Sequence, residues 1–343
     1  MRVVTRILLV GNPTARSGDA QARIARARAA LAARGATVEL QPTAALGRTV
    51  ERVRDALARG AFDAAVALGG DGTFAEVARG VLAAGAPCPL GFLPSGTANN
   101  QGRSFGLEAS AAALERNVEV VLAGHVAPID VGRLEDLDRR GAEPVLFFDS
   151  VGFGLQADIL AVRNRDRDTV GQIPLLRDLY RGELVYAGAA LDRYLASWAK
   201  PTKFSAEVVT ADGVHHFSRL TDLIVSATPV YAGRWVLDRA ARADDGRFEL
   251  IPIQGRRDWL VKAVRDLAPL STLGEHFDAL GIPRGPVVSA DGFELRLRRP
   301  SQPGIPSQVD GEEWTPARHL RVTVLPGRLP LIVPAGFVPP WQA

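Results

Sequence analysis

Three short loops carry the residue types best suited to chemistry: Gly11-Asn12-Pro13-Thr14-Ala15-Arg16-Ser17-Gly18, Gly69-Gly70-Asp71-Gly72-Thr73 and Leu93-Pro94-Ser95-Gly96-Thr97-Ala98-Asn99-Asn100. Each follows a short apolar run and precedes a helical pattern. Glycines let a ligand approach the backbone closely, with its amides pointing inward. A helix start adds unpaired N–H groups and the positive end of its dipole, which favour an anion. Three such loops converging on one sheet edge would cradle a polyphosphate. Lysine cannot supply the charge. Of the 41 basic residues 38 are arginine, and Lys200, Lys203 and Lys262 all lie beyond residue 199. A Walker-type lysine loop is therefore excluded from the first half, which leaves Arg16 and Arg103 as candidates. Thr73 reads as the cap of the following helix, with Glu76 completing a capping box. Asp245-Gly246 and Asp310-Gly311 have the composition of hairpin turns.

The elements that must hold these loops alternate. Strand-like runs at Ile7–Val10, Thr37–Gln41, Ala64–Leu68 and Pro89–Leu93 are separated by helical patterns at Asp19–Arg34, Thr49–Arg59 and Phe74–Ala84, and Ala109–Ala123 follows the last. This predicts an α/β unit with a parallel sheet and helices on both sides, its loops at the carboxyl edge where ligands bind. From Ala127 the texture is mainly antiparallel β: Ala127–Leu134, Val145–Val151, Phe204–Thr210, Leu220–Ala227, Arg247–Ile253 and Phe293–Arg298, broken by Asp-Gly turns and by helical stretches at Gly182–Trp198 and Arg257–Leu267. The domain expectation is 1–128, 129–328, and a tail 329–343 that packs back on the body.

Composition narrows the partners. Net charge is only +3, and no basic stripe with interleaved aromatics suggests nucleic acid. The single cysteine, Cys88, excludes a disulfide framework, and the five histidines lack a metal-binding spacing. His215-His216 reads as part of a hairpin strand. No apolar run reaches the roughly 18 residues of a membrane span, so the expected location is the cytoplasm. Arg163–Asp168 alternates sign like a solvated face.

Taken together the motifs resemble the diacylglycerol-kinase catalytic family, which includes soluble bacterial lipid kinases, sphingosine kinase and ceramide kinase. The matches are Asn12-Pro13, Gly69-Gly70-Asp71-Gly72-Thr73 with Glu76, Pro94-x-Gly96-Thr97-x-Asn99, Gly152-x-Gly154-x-x-Ala157, Asp244-Asp245-Gly246 and Asp310-Gly311-Glu312, in that order along the chain. The resemblance implies a nucleotide domain like that of NAD kinase and phosphofructokinase, a following β-sandwich, and ATP- and Mg²⁺-dependent phosphorylation of a lipid hydroxyl. It implies ATP contacts at Asn12, Pro13, Thr14, Ala15, Arg16, Thr43, Gly70, Asp71, Gly72, Thr73, Phe74, Ala75, Glu76 and Thr97. Asp310 would be the base in the manner of the bacterial lipid kinases, or Asp71 in the manner of sphingosine kinase. Asp130 and Glu312 match acidic positions of a network around magnesium, Glu312 counting among the catalytic candidates, and Asp245 would anchor a structural Mg²⁺. Asn100 stands where the best-known bacterial relatives carry an aspartate, Ala75 where an asparagine is frequent, and Gly102 where an alanine is. Partners implied are the lipid, a transient membrane surface and a second copy of the chain. The apolar face of Tyr186, Leu191, Tyr194, Leu195 and Trp198 would line an acyl pocket. An NAD kinase-like enzyme and a non-catalytic nucleotide- or lipid-binding regulator are the alternatives.

Overall fold

The computed structural model describes residues 4–13, 20–45, 47–85, 88–96, 98–110, 112–158, 160–161, 203–231, 235–236, 238, 240–255, 258, 286–300 and 304–336. The expected helix at 182–198, that at 257–267 apart from Asp258, the alternating run 163–168, the acyl-pocket face, and Thr14, Ala15, Arg16 and Thr97 lie outside those residues.

The first unit runs β1 (Arg6–Gly11), α1 (Ala20–Ala33), β2 (Thr37–Pro42), α2 (Arg48–Arg59), β3 (Ala64–Gly69), α3 (Asp71–Ala84), β4 (Leu90–Pro94), α4 (Asn100–Ser104) and α5 (Ala113–Ala123). Its strands pair in parallel in the order β2-β1-β3-β4. Because β1, β3 and β4 are neighbours, the three glycine-containing loops leave the same sheet edge side by side. Alternation along β1 divides the core. Ile7 and Leu9 pack with Ile24 and Leu31 of α1 and Val118 and Val121 of α5, whereas Leu8 and Val10 pack with Val53 and Leu57 of α2 and Phe74 and Val77 of α3. Strands buried on both faces explain why they read as unbroken apolar runs.

The second unit comprises β5 (Val126–Asp136), β6 (Val145–Phe147), β7 (Ser150–Gly154), β8 (Phe204–Thr210), β9 (Gly213–Leu220), β10 (Asp222–Ser226), β11 (Val230–Tyr231), β12 (Trp235–Val236), β13 (Phe248–Ile253), β14 (Val288–Ala290), β15 (Gly292–Arg298), β16 (Ile305–Val309), β17 (Glu312–Ala317) and β18 (His319–Ile332). A six-stranded sheet, β14-β13-β10-β7-β16-β17, faces the half of the long sheet formed by β18, β15, β8 and β9. Phe153, Leu223, Leu250 and Val309 from one side and Val208, Leu295 and Leu320 from the other fill the sandwich.

Several sequence expectations shift. The run Val145–Val151 is two strands, separated by Phe148 and Asp149, and Leu220–Ala227 divides at Thr221. Helix α5 starts at Ala113 rather than Ala109, with the short α4 before it. Leu329–Ile332, expected in the tail, belong to β18, which pairs antiparallel with β5 and in parallel with β4 through Leu331 and Leu90. The two units thus share one ten-stranded sheet.

Candidate active site

Helix α3 begins at Asp71, three residues earlier than the expected Phe74. Its N-cap is Gly70, which makes no side-chain cap, so Thr73 lies inside the first turn rather than capping it. The reason is local. Gly70 is extended, and its carbonyl already accepts the Phe74 N–H at 3.0 Å. Thr73 leans against Gly69, where a Cβ would collide with it. The loop after β3 touches the loop after β4 backbone to backbone: Ser95 N–H donates to Gly69 O at 2.7 Å, and a Cβ on Gly96 would stand 2.6 Å from Gly70 Cα. Gly72 is different. It is exposed, and among the described residues a Cβ there would meet nothing within 4 Å. A helix start of this kind suits an anion.

The other expected nucleotide contacts separate by burial. Asn12, Pro13 and Thr43 are half-buried around the end of β1, with Thr43 N–H on Gly11 O at 3.0 Å. Glu76 is half-buried on α3. Phe74 and Ala75 are core residues, and Phe74 stacks edge-on against Phe92 and Phe148. Their side chains do not face a ligand. Arg103 donates to Ala98 O at 3.1 Å and so braces the third loop.

Asp310 and Gly311 form the two-residue turn between β16 and β17, both with positive φ (51° and 77°). Asp-Gly suits this left-handed pair. The turn aims the Asp310 carboxylate inward, where its side chain is 5% exposed. There it accepts the backbone N–H of Phe148 (3.0 Å), Asp149 (2.7 Å) and Ser150 (3.3 Å), and Arg79 Nη2 of α3 lies 3.4 Å away. Arg79 also donates twice to Leu146 O, at 3.1 and 2.9 Å, and its guanidinium lies over the Phe148 ring. Burial raises the Asp310 pKa; Arg79 and the three amides oppose that rise. Glu312 stands exposed at the start of β17.

Asp71 and Asp149 complete an acidic group. Asp71 Oδ1 accepts the Gln101 N–H at 3.1 Å, and its pKa is raised by burial against backbone hydrogen bonds from residues 99–101. Gln101 Nε2 in turn donates to Phe148 O at 2.6 Å. Asp149 takes Asn100 Nδ2 at 2.7 Å and Thr228 Oγ1 at 2.9 Å. Burial pushes its carboxyl up to about 7, and the charges of Asp310 and Asp71 add to the rise. Asp71 and Asp310 were legible as site residues; Arg79, Gln101, Asp149 and Thr228 were not. A signal existed for two of them. Arg79 interrupts the apolar side of α3, and Asp149 interrupts Val145-Leu146-Phe147-Phe148-Asp149-Ser150-Val151.

Asp130 and Asp245 belong to a different cluster. Asp130 Oδ2 accepts Gly246 N–H and its Oδ1 accepts Gly327 N–H, both at 2.7 Å, so this buried carboxylate ties the 244–246 turn to the bulge of β18. Burial raises its pKa, and nearby Asp245 and Asp244 add to the rise. Asp245 accepts Arg247 N–H at 3.0 Å within its own turn. Neighbouring Glu249 is pushed up to about 8 by burial and by Asp238 and Asp245. Among the described residues, no group of three or more His, Cys, Asp or Glu side chains is arranged to hold a metal ion.

Glycine loops at one sheet edge, an open helix start and an inward-turned Asp-Gly carboxylate now stand together in one molecule. Residues 6–134 match the model of the diacylglycerol kinase catalytic domain. Over that segment the chain is similar to the diacylglycerol kinase catalytic domain. A probable YegS-like lipid kinase of Pseudomonas aeruginosa is 28% identical over 285 residues, 83% of this chain and 80% of that protein. A diacylglycerol kinase of Staphylococcus saprophyticus is 32% identical over 90 residues, 24% of this chain and 28% of that protein. The fold of a putative diacylglycerol kinase from Bacillus anthracis is similar at TM-score 0.66 and 18% identity, covering 98% of this chain and 100% of that one. The acidic group beside α3 lies next to this matched segment and is the candidate functional centre. Among the described residues, no helix is long and apolar enough to cross a membrane.

Proposed function

We propose that the chain transfers the γ-phosphate of ATP to the hydroxyl of diacylglycerol or a related lipid alcohol. The observation that carries this reading is the junction itself. The β16–β17 turn delivers the Asp310 carboxylate to Arg79 of helix α3, whose first turn would receive the phosphates.

Phosphoryl transfer asks for positioning, charge stabilisation and an acceptor for the hydroxyl proton. The α3 amides and the backbone of the neighbouring loops would bind the phosphates. Asp310 or Asp71 would take the proton as the lipid oxygen attacks phosphorus and ADP leaves. Burial raises the pKa of both, which makes each a stronger base than an exposed carboxylate. The donor set is all oxygen, as Mg²⁺ prefers, and Mg²⁺ is ordinarily held by substrate phosphates, waters and one or two carboxylates. Asp71, the first residue of α3, would be such a carboxylate. Bound Mg²⁺ would neutralise charge on the phosphates. The lipid would be met at a membrane surface.

The test is transfer from labelled ATP to a panel of diacylglycerols, sphingoid bases, other lipid alcohols and NAD, with and without Mg²⁺. Label in a lipid phosphate supports the reading. Label in NAD alone makes the chain a soluble-substrate kinase, and no transfer to any acceptor makes it a binding protein.

A further inference from the structure

One feature of the junction stands outside that scheme. The acidic group at the junction has three carboxylates, and the third, Asp149 on the turn between β6 and β7, is held by Asn100. We infer that Asp149 is a positioning residue for phosphoryl transfer, setting a carboxylate of the second unit against Asn100 of the β4–α4 loop. The inference rests on the kinase reading above.

The geometry gives Asp149 two routes of action. Its side chain holds Asn100 Nδ2 at 2.7 Å, and Asn100 belongs to the 99–101 turn whose backbone receives the Asp71 carboxylate. Its own backbone N–H donates to Asp310 at 2.7 Å. One residue thus fixes the mounting of both candidate bases. Asp149 and Asn100 are 4% and 7% exposed, and Thr228 Oγ1 closes the other carboxylate oxygen at 2.9 Å, so water does not screen the charge. Asp71 and Asp310 act electrostatically on Asp149, so the three carboxylates are coupled. An aspartate at position 100 would face this carboxylate directly, and like charges at hydrogen-bond distance do not both ionise. The amide at 100 and the acid at 149 are one matched pair.

The pair can be dismantled without removing its hydrogen bonds. Asp149→Asn keeps the shape and an acceptor for Asn100, and removes only the charge. We expect kcat to fall roughly 10–100-fold, as for outer partners of reacting groups, with KM for ATP nearly unchanged and no loss of thermal stability. Asn100→Asp alone should also lose turnover. The exchange Asn100→Asp/Asp149→Asn should restore kcat to within a few-fold of wild type. Full turnover in Asp149→Asn, or an exchange variant no better than the single variants, overturns this role while leaving the kinase reading intact. A wild-type chain that transfers phosphate to no acceptor overturns both.

Discussion

Arg79 of α3 and Asp310 of the β16–β17 turn meet at 3.4 Å although 231 positions separate them. The contact joins helix α3 to the carboxylate supplied by the second unit, and Arg79 extends the joint through two hydrogen bonds to Leu146 O. Arg79→Ala should lower stability by about 1–3 kcal/mol, because it removes the charge partner of a buried carboxylate and the side-chain donors to Leu146 O at once. Turnover should drop roughly 10²-fold as Asp310 loses its fixed position. Arg79→Lys keeps the charge but not the planar fork, and should fall between. Denaturant unfolding and kcat for the three proteins check this; an Arg79→Ala protein as stable and active as wild type would refute it.

Asp310→Asn and Asp71→Asn separate the two candidate bases. Loss of the true base should cost roughly 10²–10⁴ in kcat. Asp310 already spends acceptor capacity on three amides and Arg79, whereas Asp71 sits at the helix start beside the open Gly72. Near-normal rates in Asp310→Asn would give the proton to Asp71. A collapse in both variants would point to a shared requirement.

Asp149 predicts an unusual pH dependence of stability. Its carboxyl is pushed up to about 7 in the folded chain, from an ordinary 3.8. Between those values the native state holds a proton that the unfolded chain releases, so stability falls as pH rises through the window. Asp149→Asn removes this liability. The variant should be more stable than wild type at pH 8, by on the order of a few kcal/mol, and the advantage should shrink towards pH 4. Thermal melts of both proteins from pH 4 to 8 decide it; a constant difference would show that Asp149 does not titrate there.

Asp130 predicts a purely mechanical loss. Its two oxygens hold Gly246 and Gly327. Asp130→Ala leaves both amides without that acceptor and should cost about 1–3 kcal/mol. If the carboxylate acts through these amides alone, wild-type melting should not change on adding a chelator. A chelator-sensitive melt, lost in Asp130→Ala and in Asp245→Ala, would instead establish the structural Mg²⁺ there.

What the sequence disclosed and what it hid follow from the range of the interactions. Strands β1, β3 and β4 are buried on both faces, so their apolar runs declare them locally. Asp71 and Asp310 are marked by flanking glycines, which their turns require. The start of α3 was misplaced because Gly-Asp-Gly-Thr has the composition of a loop, while the extended Gly70 lets the helix begin at once. β18 was read partly as a tail because Pro326-Gly327 interrupts it, and only pairing with the distant β4 and β5 makes it one strand. Arg79 and Asp149 gain their roles from partners 231, 49 and 79 positions away. No local pattern encodes those distances.

The sharpest test of the phosphate cradle sets two glycines of neighbouring loops against each other. A methyl on Gly96 would meet Gly70 Cα at 2.6 Å, backbone against backbone, so Gly96→Ala must move a loop. It should cost about 1–3 kcal/mol as overpacking and weaken ATP binding as a by-product of that shift. Gly72 lies in the first turn of α3 with nothing within 4 Å of a Cβ, and its φ is not positive. Gly72→Ala should therefore fold normally, or gain up to about 1 kcal/mol from helix propensity. Its methyl would nevertheless occupy the space in which a phosphate must approach the α3 amides. Calorimetric titration with ATP and Mg²⁺, paired with thermal melts, should show Gly72→Ala at least as stable as wild type but binding ATP at least about 10-fold more weakly, a loss of roughly 1.4 kcal/mol. Unchanged affinity in this variant would move the nucleotide away from the α3 N-terminus.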